Sequence, residues 1–272
     1  MRPQRNRTGK RVRIGAVEYL NTKPLIWGLE QQLPDGGLVL DRPAALADML
    51  RAGKLDVALI PSIEYLRNPD YQMIPDICIA SRGQVMSVIL LCRRPTAHMA
   101  KVALDTSSRS STALCRIILT KTCCVAPEFA NWSADTPLEE VDADAILVIG
   151  DRAMKLRSRY EHIIDLGEEW ERLAGMPFVY AVWAGRSITP QAAAMLRRSK
   201  QEGMRRLPEI ASEESRRLGI PESVCLDYLT NRIRYDFGPA ERDGLALFQR
   251  YAAEMGLCPD ADQREDVALK GK

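Results

Sequence analysis

The side chains best suited to chemistry in this chain are hydroxyls and amides rather than strong acids, bases or metal ligands. The densest run is Asp105-Thr106-Ser107-Ser108-Arg109-Ser110-Ser111-Thr112, which follows a strand-like segment and leads into the apolar stretch Ala113 to Leu119. Hydroxyls gathered where a helix begins, beside backbone N–H groups that have no intrahelical acceptor, make an uncharged cradle for an anionic oxygen. Ser110, Ser111 and Thr112 are the candidate cradle residues, and the same hydroxyls could equally serve as helix caps. Arg109 is expected to turn its guanidinium away from the cradle, toward solvent or the rest of the protein.

A second polar cluster, Tyr19-Leu20-Asn21-Thr22, sits between the strand-like Val12 to Val17 and Pro24. Asn21 or Thr22 can cap a helix that starts at Pro24, because a proline at the first helical position gives up an N–H that would be unsatisfied there anyway. Ser87 is a lone hydroxyl in the apolar run Val85 to Cys92. Ser62 and Asp151 close two similar strand patterns, Leu55 to Ser62 and Ala143 to Asp151, where each can line a cleft or cap the helix that follows. The two histidines, His98 and His162, lie outside all of these clusters, which argues against a histidine acid/base pair. No Walker loop, GxGxxG or HExxH occurs, so no nucleotide, metal or other cofactor is expected.

The elements that must carry these residues alternate. Val12 to Val17 reads as a strand, Pro24 to Gln32 as a helix, Leu38 to Asp41 as a strand, Ala44 to Ala52 as a helix closed by Gly53, and Val57 to Ile60 as a strand. That βαβαβ order predicts a mostly parallel sheet. A smaller α/β unit follows, with strand Val102 to Leu104, helix Thr112 to Thr120, strand Ala145 to Ile149 and helix Asp151 to Arg159. Val85 to Cys92 and Phe178 to Ala184 do not alternate with helices and are expected to pair as crossovers between two lobes. The chain after Phe178 is helical, with Pro190, Pro208, Pro221 and Pro239 each standing where a helix could begin. The expected division is residues 12–90 and 183–272 for one lobe and 91–182 for the other. Residues 1–11 and 259–272 read as disordered polar tails, the first of them basic.

Composition narrows the partners. With 38 basic and 36 acidic residues in 272, the formal charge of +2 gives no reason to expect nucleic acid or a membrane surface. No apolar h-region follows the basic N-terminus and no run reaches the length of a membrane span, so a cytoplasmic protein with a small-molecule partner is expected. Seven cysteines with no C-x-x-C pair suggest reduced, mostly buried thiols.

Several blocks together carry a resemblance. EYLNTKPL (18–25), Val85-Met86-Ser87-Val88, DTSSRSSTALCRIIL (105–119), Asp165 to Trp170, Gly175 to Trp183 and Arg234 to Gly238 resemble the chorismate dehydratase family of futalosine-dependent menaquinone biosynthesis, over about Arg13 to Leu257. Position 18, often serine in relatives, is glutamate here and is given no role. The resemblance implies an α/β, two-lobed type II periplasmic-binding-protein-like fold, with two crossing hinge strands and a ligand cleft between the lobes. It implies a carbon–oxygen lyase that converts chorismate to 3-(1-carboxyvinyloxy)benzoate and water, with Asn21 and Ser87 as catalytic residues. Tyr19, Thr22, Ser62, Ser110, Ser111, Thr112 and Asp151 are then the candidate substrate-binding residues.

Such a reaction asks little of a protein, because loss of the C4 hydroxyl and the C3 proton makes the ring aromatic. Charge released at C3 runs into the ring carboxylate, so donors placed there stabilise it. The substrate's enolpyruvyl carboxylate lies close enough to C3 to take the proton itself. Two rivals stand beside this expectation. One is a non-catalytic solute-binding or effector-sensing module of the same shape; the other is the sister dihydroxynaphthoate-forming enzyme, whose Ser-Pro-Cys turn and mechanistic histidine have no counterpart here.

Overall fold

The computed structural model describes residues 12–33, 36–157, 160 and 162–260; of the expected tails, residues 1–11 and all but the first two residues of 259–272 lie outside these. The first strand, β1 (Ile14–Val17), is followed by a 3-10 helix at Leu20–Leu25 and the short α1 (Leu29–Gln32). Then come β2 (Leu38–Asp41), α2 (Pro43–Arg51), β3 (Val57–Pro61), α3 (Ser62–Arg67) and β4 (Gln72–Ser81). The second unit runs β5 (Val88–Cys92), β6 (Lys101–Asp105), α4 (Arg109–Lys121), β7 (Glu128–Trp132), β8 (Ala145–Ile149), α5 (Gly150–Leu156), β9 (Ile163–Asp165) and α6 (Leu166–Ala174). The chain returns through β10 (Phe178–Gly185), α7 (Pro190–Met204), α8 (Leu207–Leu218), α9 (Glu222–Asp227), a π-helical turn at Tyr228–Arg232, β11 (Ile233–Arg234) and α10 (Pro239–Glu254). Among the described residues no helix is long and apolar enough to cross a membrane.

Two sheets result. One has the order β11-β4-β10-β3-β1-β2, the other β7-β6-β8-β5-β9. In the first, β1 is parallel to β2 and β3, as the βαβαβ pattern requires, while β10 inserts antiparallel between β3 and β4. In the second, β6 is parallel to β7 and β8, and β5 is antiparallel to β8 and β9. Every residue of β3 and of β8 is buried, which their β-branched and leucine-rich sequences make favourable on both faces. In the second sheet, side chains alternate between a core shared with the first lobe (Leu90, Val102, Leu104, Leu147) and a separate outer core (Ile89, Leu91, Ala103, Ile146, Val148).

Several expectations are corrected. Val85 to Cys92 and Phe178 to Ala184 do not pair with each other: β5 belongs wholly to the second sheet and β10 to the first. The boundaries expected at 90 and 182 therefore cut through strands. The chain passes between lobes in residues 82–87 and again along 166–177, where no strand pairing holds it. Pro24 does not begin a helix but lies inside the 3-10 helix, whose N-cap is Tyr19 without a side-chain cap bond. Asn21 is thus a residue of the turn rather than its cap. The helix expected from Thr112 starts earlier, at Arg109, and the one expected to reach Arg159 ends at Leu156, with Arg159 itself outside the described residues.

The turn carrying Asn21 is braced from the C-terminal half. Gly203 of α7 lies so close to it that a Cβ there would stand 2.0 Å from the carbonyl oxygen of Pro24. We expect Gly203→Ala to push helix and turn apart at a cost of about 1–3 kcal/mol, seen as a fall of several degrees in the thermal midpoint. A midpoint unchanged within a degree would mean that this contact relaxes freely.

Candidate active site

The ends of β1, β3, β6 and β8 point at one cleft between the sheets, and each leads into a helical first turn. Side chains and helix N-termini therefore converge where an open α/β sheet usually binds its ligand. The cavity there is small, about 60 Å³, room for roughly four water molecules. Its polar lining consists of Tyr19, Asn21, Thr22, Ser87, Ser108, Ser111 and Tyr180, with Gly150 and apolar residues completing it. None of the lining residues is Asp, Glu, His, Lys or Arg.

Asn21 and Ser87, expected as the reactive pair, meet here from opposite directions through a third residue. The Asn21 Nδ2 donates to the hydroxyl of Tyr228 at 3.0 Å, and that hydroxyl donates to Ser87 Oγ at 2.7 Å. The Asn21 Oδ1 accepts from Thr22 Oγ1 at 3.3 Å. Ser87 closes the segment that passes between lobes, and its carbonyl accepts from Gly150 N at 2.8 Å.

The serine-rich run supplies the facing wall. Ser108 is the N-cap of α4 but makes no capping bond; its hydroxyl donates instead to Ser111 Oγ at 2.8 Å. Among the described residues, the N–H groups of Arg109, Ser110 and Ser111 have no acceptor, so this helix end is left with its donors free.

Other expected ligands are committed elsewhere. Ser62 and Ser110 are hydrogen-bonded to each other at 3.1 Å; Ser62 also donates to the Val179 carbonyl, and Ser110 accepts from Ile63 N. Thr112 donates to the Asp105 carbonyl. These three hydroxyls do not line the cavity and join the lobes or secure the loop instead. Arg109 turns away, binding Asp48 with both carboxylate oxygens and Glu64 at 3.0 Å, which makes it an ion-pair link to the first lobe.

Asp151 likewise does not line the cavity. Its Oδ1 accepts from Leu20 N at 3.0 Å across the lobes, with Arg217 3.8 Å from Oδ2. Next to it, Gly150 has φ +68°, and a Cβ at that position would meet the Tyr19 ring at 2.9 Å, so only glycine lets the ring close over the second lobe. Tyr19 and Tyr180 are the titratable side chains of the lining. Burial, and next the neighbouring Asp105, push the Tyr19 phenol up to about 12, and burial raises Tyr180 well above its usual value. Neither can act as a base near neutrality.

Sequence reasoning missed Ser108, Tyr180 and Tyr228. Ser108 was inside the serine run and distinguishable only by its position at the helix boundary. The two tyrosines stand in apolar segments where an aromatic residue reads as core.

A family model described as menaquinone biosynthesis matches residues 12–254. The chain belongs to that menaquinone-biosynthesis family. A relative from Thermus thermophilus named chorismate dehydratase is 34% identical over 267 residues, covering 90% of this chain and 95% of its own. One of the same name from Campylobacter jejuni is 29% identical over 178 residues, 62% of this chain and 65% of its own. Among solved structures, a protein from Archaeoglobus fulgidus matches with a TM-score of 0.71 at 12% identity, covering 90% of this chain and 98% of that one. The periplasmic aliphatic sulphonate binding protein SsuA of Escherichia coli matches with a TM-score of 0.61 at 15% identity, covering 92% and 88%. The fold of this family member is therefore the two-lobed architecture of periplasmic binding proteins.

The Asp151 carboxyl is held up at about 6, chiefly by burial and against the Leu20 N–H and Arg217. Its ordinary value is about 3.9, so its contribution to stability is complete below that pH and is lost as pH rises through about 6. Asp151→Asn removes this loss and keeps an acceptor for Leu20. Relative to the parent, the variant is expected to gain on the order of 2 kcal/mol more at pH 7.5 than at pH 4. Thermal unfolding across that range measures it, and a parallel pair of curves would contradict it.

Proposed function

We propose that this protein is a chorismate dehydratase acting in the cytoplasm, forming 3-(1-carboxyvinyloxy)benzoate and water from chorismate. The observation that carries the reading is a cavity between the lobes whose polar lining is hydroxyls and one amide and which holds no side chain able to take a proton at neutral pH. Membership of the family and the names of its relatives supply the substrate; the lining fits a substrate that brings its own base.

In this reading the ring carboxylate lies against α4, where the Ser111 hydroxyl and the free N–H groups of the first turn donate to it. As the C3 proton leaves, charge moves through the ring alkene into that carboxylate, and donors already aimed there stabilise it without reorganising. The enolpyruvyl carboxylate of the substrate takes the C3 proton. The C4 hydroxyl departs from the adjacent carbon, so one proton and one hydroxide leave as one water molecule and the ring becomes aromatic. Asn21 and Ser87 orient the leaving hydroxyl or the second carboxylate, and their contribution is geometric. A cavity of about 60 Å³ is smaller than the substrate, so the lobes separate to admit it and close again around it, excluding water.

Incubation with chorismate and detection of the aromatic product tests the reading, whereas a binding module would take up chorismate and return it unchanged. We expect Ser87→Ala and Asn21→Ala each to lower kcat/KM at least 100-fold while the thermal midpoint stays within a few degrees. Unaltered turnover in both variants would remove these residues from the mechanism.

A further inference from the structure

We propose that Tyr228 is a positioning residue of this reaction, its hydroxyl holding Asn21 and Ser87 in the single donor orientation that faces the cleft; the inference rests on the dehydratase reading. Tyr228 is 1% exposed and does not itself line the cavity, so it acts only through the two residues it touches. It stands at the first position of the π-helical turn that follows α9. Such wide turns re-aim a side chain relative to the helix before them.

The hydrogen-bond inventory makes its role specific. A serine hydroxyl has one proton to give and lone pairs to fill. Because Tyr228 donates to Ser87 Oγ, a lone pair of Ser87 is occupied and the Ser87 proton remains for a ligand. A carboxamide can lie either way round unless its two ends are distinguished. Asn21 has its Nδ2 committed to Tyr228 and its Oδ1 to Thr22 Oγ1, which fixes the amide and leaves one N–H to donate. Burial raises the Tyr228 phenol far above its ordinary value, so it remains a donor throughout the range in which the enzyme works.

The three residues also report closure. Asn21 and Tyr228 belong to the first lobe, while Ser87 ends the inter-lobe segment and its carbonyl is bonded to Gly150 of the second. Separation of the lobes pulls on the Tyr228–Ser87 bond, so the Ser87 proton is aimed only when the cleft is shut. Loss of the tyrosine hydroxyl should therefore affect the chemical step more than substrate uptake.

The test measures chorismate turnover by the parent, Tyr228→Phe, Ser87→Ala and the double variant, with thermal midpoints for each. Tyr228→Phe is expected to lower kcat by about 10-fold or more with KM within about threefold, and to cost clearly less in the Ser87→Ala background than in the parent, because the part of its effect that passes through Ser87 is already lost there and only the part through Asn21 remains. Placing 3-fluorotyrosine at 228, which keeps ring and hydroxyl, should return kcat to within about threefold of the parent. It serves as the deciding variant should the phenylalanine change prove unstable, since loss of turnover there with an unchanged midpoint would overturn the proposal. Turnover by Tyr228→Phe equal to the parent, or losses that multiply fully in the double variant, would also overturn it. If the parent itself makes no aromatic product from chorismate, the dehydratase reading fails, and the inference with it.

Discussion

One buried carboxylate, that of Asp165, holds the two lobes in their relation to each other. It is 4% exposed and accepts five hydrogen bonds, from Val85 N, Met86 N, Gly167 N, Glu168 N and Arg157 Nη1. Residues 85 and 86 belong to the first passage between lobes, and 167 and 168 begin the second, so both connections are tied to the same two oxygen atoms. A charged acceptor this deep is tolerable only because every lone-pair direction meets a donor. Among those donors is the N–H of Met86, which has φ +66°, a conformation that a side-chain-bearing residue rarely adopts unless its surroundings impose it. The residue after it is Ser87. Its place at the cleft is thus a consequence of how the hinge is fastened.

From that fixed point the site is built almost without charge. The guanidinium nearest the serine-rich run, Arg109, is used up by Asp48 and Glu64 as a link between lobes. Arg42 is paired with Asp135 across the opening, where both are exposed and the pair adds little to stability. The polar side chains that face the cavity are hydroxyls and one amide, set among apolar residues. Neutral donors hold a carboxylate without trapping it in a tight ion pair, and they leave the basicity of the substrate's second carboxylate undiminished. An arginine in their place would favour the ground state as much as the transition state.

Much of this could be read from residue types. The βαβαβ order of the first half and the two apolar strands β3 and β8 follow from periodicity and turn chemistry, whereas a site role for Asn21 and Ser87 came only from the family resemblance. The misassigned crossings have a simple cause: an apolar run buried on both faces, such as Val88 to Cys92, carries no mark of which sheet it joins. Likewise, nothing in the sequence separates Ser110 from Ser111. One helical step of about 100° sends the first toward Ser62 and the second into the cavity, and only the packing of α4 against α3 decides which is which. Tyr228 lay hidden for the same reason, since a tyrosine among Leu226, Leu229 and Ile233 looks like core until its hydroxyl is seen between Asn21 and Ser87.

The central claim is that the substrate, and not the protein, supplies the base. Chorismate with its enolpyruvyl carboxylate converted to a carboxamide tests this most directly, with binding measured by competition against chorismate and dehydration followed by the aromatic product. The account predicts an analogue that competes for the cleft and is not dehydrated. Dehydration of the carboxamide at a rate near that of chorismate would contradict it, and would require a proton acceptor among the residues of the cleft.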